Sequence, residues 1–279
     1  MHRDSVGAAE LRLDRGRDRV RLQGAPRLPD RRHVIDVDAE FRHPTRVAAT
    51  IAAVTDFDAR LAGLERDLAA QGERVLDLCT RTVESYFDLD QEKARAVIAA
   101  DDEVDRIDVE LERRSVPLLG LGVTDEHRIR EVLTIVKVNN ELERIADSAV
   151  VVAEHVLEQG SLPERIPPTF RVMANSVLGV LRDSVRAMAR KDAALARQVL
   201  LFDDTIERFK REILLHAQEQ VALGHFSVHF AFRLMAVVKA LERIADHCTN
   251  ICEQVIYLRS GFIVRHRPEG WSEPAAPDA

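Results

Sequence analysis

From about residue 56 to residue 258, apolar side chains recur at intervals of three and four, with charged residues between them. Positions three and four apart share one face of a 3.6-residue turn, so this spacing predicts amphipathic helices. Six segments follow the pattern. The first covers about 56–87, with the stripe Phe57, Leu61, Leu64, Leu68, Val75, Cys79 and Val83. Asp90 is placed to cap a second helix carrying Val97, Ala100, Val104, Ile107 and Leu111, which stops near Pro117 and Gly120. A third starts near Thr124 and carries Ile135, Val138, Leu142, Ile145, Ala149, Val152 and Val156. Gly160, Pro163, Pro167 and Pro168 then mark a linker. A fourth helix is expected over about 169–190. Asp192 is placed to cap a fifth, with Val199, Phe202, Ile206, Phe209 and Ile213 on one continuous stripe. Gly224 precedes a sixth, whose stripe is Phe230, Leu234, Val237, Leu241, Ile244, Cys248, Ile251, Val255 and Leu258. That unbroken four-three spacing is the mark of left-handed helix packing.

The two halves repeat each other. Glu143-Arg144-Ile145-Ala146-Asp147 recurs as Glu242-Arg243-Ile244-Ala245-Asp246, 99 residues later. Asp101-Asp102 recurs as Asp203-Asp204, and the capping Asp90 recurs as Asp192, both at an offset of 102. Matching caps, stripes and acidic pairs in one order indicate a duplication. The expected fold is all-α, two tandem antiparallel three-helix bundles related by this internal repeat. The expected organisation is an Arg-rich leader without periodicity at 1–43, a first repeat at 44–160, a second at 161–264 and a loose tail at 265–279.

Composition agrees with helix. Aromatics make up 5% of the 279 residues, and 12 Gly and 10 Pro are few for an all-β chain. The net charge is −7, unevenly spread: residues 1–46 hold 11 Arg and 8 acidic residues, which leaves the remainder at −10. An acidic body disfavours nucleic acid as a ligand, because phosphate contacts need Lys and Arg on one face. It suits cations or a basic partner surface. Three cysteines, an odd count without close CxxC spacing, argue against a disulfide framework and a zinc ribbon. No segment has the apolar length of a membrane span, and the N-terminus lacks a signal-like apolar stretch. A cytoplasmic location is expected, with membrane contact only through partners.

The chemistry-bearing residues are acidic. Glu143 and Asp147 lie four apart on one helix face, as do Glu242 and Asp246, and each pair falls opposite its helix's apolar stripe. Asp101 with Asp105, and Asp203 with Glu207, form the same spacing on the preceding helix of each half. Crowded carboxylates need solvent or a counter-charge, and oxygen-rich clusters suit divalent or iron-type metal ions. The alternative is a solvated acidic face paired with Arg144 or Arg243. A buried di-metal site is disfavoured, since the one Glu-x-x-His spacing, Glu40 to His43, lies in the leader. His225 and His229 are expected to pack or cap, His247 is a candidate neighbour of a metal ligand, and Cys248 is expected in the core. There is no phosphate-binding glycine loop, no nucleophile elbow and no set of nucleophile, base and orienting group, so no catalytic residue is assigned.

Leu241-Glu242-Arg243-Ile244-Ala245-Asp246-His247, followed by Thr249-Asn250-Ile251 and Glu253-Gln254-Val255, resembles the second signature of the PhoU family. Leu142-Glu143-Arg144-Ile145-Ala146-Asp147 resembles the first, departing at Ser148, where a His is common. The resemblance spans about 56–261 and implies a dimer of tandem bundles, with surface metal clusters on Glu143, Asp147, Glu242 and Asp246 and added ligands from Asp101, Asp105, Asp203 and Glu207. It implies a non-enzymatic regulator of phosphate uptake that represses the phosphate-starvation response. The partners it implies are a phosphate ABC transporter, through its ATPase subunit, and a sensor histidine kinase. The competing readings are a metal-dependent enzyme or metal store using the carboxylate clusters, and a purely structural helical partner protein.

Overall fold

The computed structural model describes residues 44–121, 125–158, 164–267 and 270–272. The expected leader at 1–43, with its Glu40 and His43, and the linker residues Gly160 and Pro163 lie outside them. Among the described residues there are seven helices: α1 (Pro44–Asp88), α2 (Gln91–Leu119), α3 (Glu126–Glu158), α4 (Pro168–Arg190), α5 (Ala193–Leu200), α6 (Asp203–Ala222) and α7 (Val228–Ser260). α1 to α3 form the first three-helix bundle, and α4, the broken α5–α6 and α7 form the second.

The expected caps are in place. Asp90 accepts a hydrogen bond from the Lys93 N–H, and Asp192 accepts from Ala194 and Leu195, filling donors that a helix start leaves open. Pro117 lies in the last turn of α2, where its missing N–H weakens the ladder, and the helix stops two residues later. Gly261 ends α7 at φ +75°, a conformation that suits a residue without Cβ, and its N–H reaches the Tyr257 carbonyl.

Two elements depart from the sequence reading. The fifth helix breaks at Leu201–Phe202. There the ladder tightens to three-residue bonds, Phe202 N–H to the Val199 carbonyl and Thr205 N–H to the Phe202 carbonyl. The phase slip turns Phe202 outward, 48% exposed, although the four-three stripe placed it in the core. Ile206 and Ile213 beyond the break remain buried. In the expected loose tail, β1 (Arg265–Arg267) pairs antiparallel with β2 (Gly270–Ser272).

The interior follows the stripes. Every residue of the α3 and α7 stripes is buried, and so is every residue of the α1 stripe. Gln71, fully buried on α1, donates to the Val104 carbonyl of α2 at 2.9 Å, supplying the partner a buried amide requires. The halves also touch. α3 packs along α7. α1 approaches α4 so closely at Gly72 that a Cβ there would meet Met188 at 2.9 Å and Val185 at 3.0 Å. Val47–Ala279 accordingly forms one compact unit.

Candidate functional site

The acidic pairs come together between helices, half by half. In the first half, Asp101 and Asp105 on α2 face Glu143 and Asp147 on α3. A fifth carboxylate, Asp108, joins them from the next turn of α2. Its Oδ1 accepts from Asn139 Nδ2 at 2.7 Å, and its carbonyl accepts from the same amide at 3.0 Å. Among the described residues no Lys or Arg forms an ion pair with any of the five. The two cations adjacent to these residues in sequence turn elsewhere: Arg144 donates to the Asn140 side chain at 3.1 Å, and Arg106 pairs with Glu103 at 2.7 Å. Asp101 Oδ1 is buried without a hydrogen-bond partner. Burial, followed by the charges of Asp105, Asp147, Glu143 and Asp102, pushes the Asp101 carboxyl up to about 6. Burial, then Asp147 and Asp108, raises Glu143 as well, against the pull of Arg144.

The second half uses the same positions differently. Lys210 on α6 places its ammonium 2.6 Å from Glu207 and 2.8 Å from Glu242. Lys239 adds a contact to Glu242 at 3.3 Å. Against the upward push of burial, the Lys210 hydrogen bond and charge hold Glu242 below the usual carboxylate range. Asp246 is raised by partial burial, then by Glu242 and Asp203, with His247 and Lys239 opposing.

A third polar cluster joins the halves. Glu141 Oε2 on α3 lies 2.7 Å from His247 Nδ1 and accepts from Asn250 Nδ2 at 3.0 Å, both on α7. A carboxylate only accepts, so Nδ1 carries the proton. Against desolvation, these two contacts hold Glu141 below its ordinary value. His225 is exposed and pairs with Gln220 at 2.9 Å, and His229 is exposed. Cys248 is fully buried, and desolvation raises its thiol well above the ordinary range.

The sequence reading therefore placed Asp101, Asp105, Glu143 and Asp147 in one group, and Asp203, Glu207, Glu242 and Asp246 in another. It missed Asp108, Lys210, Lys239 and Glu141. The repeat register was the available signal: the offset of 102 sets Lys210 opposite Asp108, and the offset of 99 sets Lys239 opposite Asn140.

A family model described as the PhoU domain matches residues 68–156 and 170–255, one stretch in each half. The chain belongs to the PhoU family. It is 28% identical over 207 residues to the Thermotoga maritima phosphate-specific transport system accessory protein PhoU homolog 1, covering 74% of this chain and 89% of that protein. A Pseudomonas putida protein, a phosphate-specific transport system accessory protein PhoU homolog, is 30% identical over 75% of this chain and 83% of its own length. The crystal structure of PhoU from Pseudomonas aeruginosa superposes with a TM-score of 0.70 at 28% identity, covering 74% of this chain and 99% of that one. One PhoU stretch falls within each bundle, so the repeat read from the sequence is the repeat of the family.

The metal implied by the PhoU resemblance meets two different donor sets. In the first half the donors are oxygens, one of them orphaned, which suits a hard cation in chemistry. Yet among the described residues no three His, Cys, Asp or Glu side chains converge where they could hold one ion. In the second half an ammonium already lies between the carboxylates, and the residues do not fit a metal.

Asp101→Asn tests the crowding. The folded carboxyl titrates near 6 against an ordinary 3.8, so the unfolded chain ionises first as pH rises. The raised group contributes stability below about pH 4 that is lost as pH climbs through 6. After discounting for solvent screening, the variant should exceed wild type by about 1 kcal/mol at pH 7, and the gap should close at pH 4. Urea unfolding at the two pH values measures it, and an equal gap at both would refute the crowding account.

Proposed function

We propose that this PhoU-family chain is a non-enzymatic regulator of phosphate uptake that represses the phosphate-starvation response. It works in the cytoplasm as a homodimer, bridging the ATPase subunit of a phosphate ABC transporter and a sensor histidine kinase. The observation that carries the reading is the match of both halves to the PhoU domain, together with relatives named as phosphate-specific transport system accessory proteins.

The physics of the fold supports it. Among the described residues no helix is long and apolar enough to cross a membrane, so contact with a transporter runs through its exposed subunits. Two bundles packed as one unit give a stiff body with separate faces. An adaptor needs no reacting group. It needs a transporter state that changes its affinity for the kinase, and a coupling of about 1–3 kcal/mol changes occupancy several-fold or more. The five first-half carboxylates supply a strongly negative face, suited to a basic partner surface or to hard cations.

Deleting the gene should raise expression of phosphate-scavenging genes in phosphate-rich medium, and the intact chain supplied in trans should restore repression. Affinity capture from phosphate-replete cells should co-purify a transporter ATPase. Unchanged expression in the deletion strain would overturn the proposal.

A further inference from the structure

The two acidic clusters are repeat-related but not equivalent. Asp101, Asp105, Glu143 and Asp147 correspond to Asp203, Glu207, Glu242 and Asp246 at offsets of 102 and 99. The position that breaks the symmetry is Asp108, whose counterpart is Lys210. The first half therefore adds a fifth negative charge where the second half adds a positive one. Lys239 stands where the first half has the neutral Asn140, which deepens the contrast.

The ammonium is well placed. Lys210 Nζ lies 2.6 Å from Glu207 Oε2 on its own helix and 2.8 Å from Glu242 Oε1 on α7. Metal ions sit about 2.0–2.6 Å from carboxylate oxygens, so an ion bridging these same oxygens would occupy nearly the volume the ammonium fills. Glu242 is 14% exposed and bonded to Lys210 and Lys239 on separate oxygens, so both of its oxygens are engaged. An incoming cation would have to displace a charge-assisted hydrogen bond on each side.

We propose that Lys210 is the resident counter-cation of the second acidic cluster, filling the place of a metal ion and closing that cluster to exogenous cations. The inference rests on the family assignment and the local geometry, and not on the signalling role. Lysine charge is independent of metal supply, so the second half keeps its α6–α7 contact whatever the cation concentration. A change in metal supply leaves that half's shape and charge unaltered.

The test is Mn2+ binding by equilibrium dialysis with metal analysis, on the full chain. Lys210→Asp puts a carboxylate where the first half has Asp108, leaves Lys239 in place, and should take up at least one more Mn2+ per chain than wild type. The gain should vanish when Glu242→Gln is added. Glu242→Gln alone should leave wild-type uptake unchanged, because that carboxylate is already occupied. Circular dichroism establishes that each variant is folded. Should Lys210→Asp fail to fold, Lys210→Gln removes the charge at similar length and should also gain uptake, whereas Lys210→Arg should not. Equal uptake by wild type and folded Lys210→Asp or Lys210→Gln would overturn the proposal, and so would a loss of wild-type uptake in Glu242→Gln. The gene-deletion phenotype is unaffected by either result, so this inference and the regulatory reading fail separately.

Discussion

Replacing Lys191 with alanine should lower the unfolding free energy by about 2–3 kcal/mol, a large loss for one exposed-looking lysine. Lys191 follows α4 and carries that helix's end at φ 51°, in the left-handed region. Its ammonium reaches Glu65 on α1 at 2.6 Å and Glu131 on α3 at 2.8 Å. One side chain from the second half thus ties two helices of the first. Glu131 is 13% exposed, and Lys191 and Glu65 are each 33% exposed, so the pairs are screened far less than surface pairs. Against desolvation, the bonds to Glu131 and Glu65 hold the ammonium above its ordinary range. Alanine strips the ammonium from two half-buried carboxylates and leaves only the His127 ring, 3.6 Å from Glu131, which is the costly way to break a pair. Partial exposure lowers the cost from the fully buried figure of about 3–5 kcal/mol. Lys191→Gly separates backbone from charge. Glycine occupies the left-handed region without the roughly 1 kcal/mol penalty an L residue meets there, so it should lose about that much less than alanine. Urea unfolding of the three proteins decides the matter. A loss under about 0.5 kcal/mol in the alanine variant would mean the strut is solvated and idle.

Periodicity tells which face of a helix is buried, and not which neighbour covers it. This explains what the sequence disclosed. The α7 stripe from Phe230 to Leu258 was legible in full, because each member repeats on one face and all are buried. Asp90 and Asp192 were legible as caps, because capping is local. Phe202 was misplaced because a tightened turn shifts helical phase without changing residue spacing, and the four-three stripe stays intact in the letters. The acidic site divides along the same line. The i,i+4 pairs belong to single helices and could be read directly. Glu242 meets Lys210 from another helix, Glu141 meets His247 from the other half, and neither contact is encoded in spacing. Aligning the halves at offset 102 would have exposed the exchange of Asp108 for Lys210, a reversal of charge one turn beyond the matched pairs Asp101–Asp203 and Asp105–Glu207.

Leu142→Ala and Leu241→Ala should each destabilise by about 3 kcal/mol, and each should shift one shared unfolding transition. The two leucines are repeat-equivalent, 99 residues apart, and both are essentially fully buried on the paired helices α3 and α7. Removing three carbons from such a site costs the transfer energy plus the residual cavity. The informative part is the number of transitions. Tandem repeats held by weak contacts would melt separately, and each variant would then split the curve. Here the halves share the α3–α7 seam, the Glu141–His247–Asn250 cluster, the tight approach at Gly72 and the Lys191 strut. Those contacts combine apolar packing with desolvated hydrogen bonds, so opening one half strips partners from the other. A single calorimetric transition, with van't Hoff and calorimetric enthalpies equal, is expected for wild type and both variants. The double variant should lose close to the sum unless the leucines touch, in which case the excess reports their coupling. Two resolved transitions would show that the halves are joined only loosely. Such a body would transmit the state of one face to the other poorly, so its cooperativity bears directly on the proposed adaptor role.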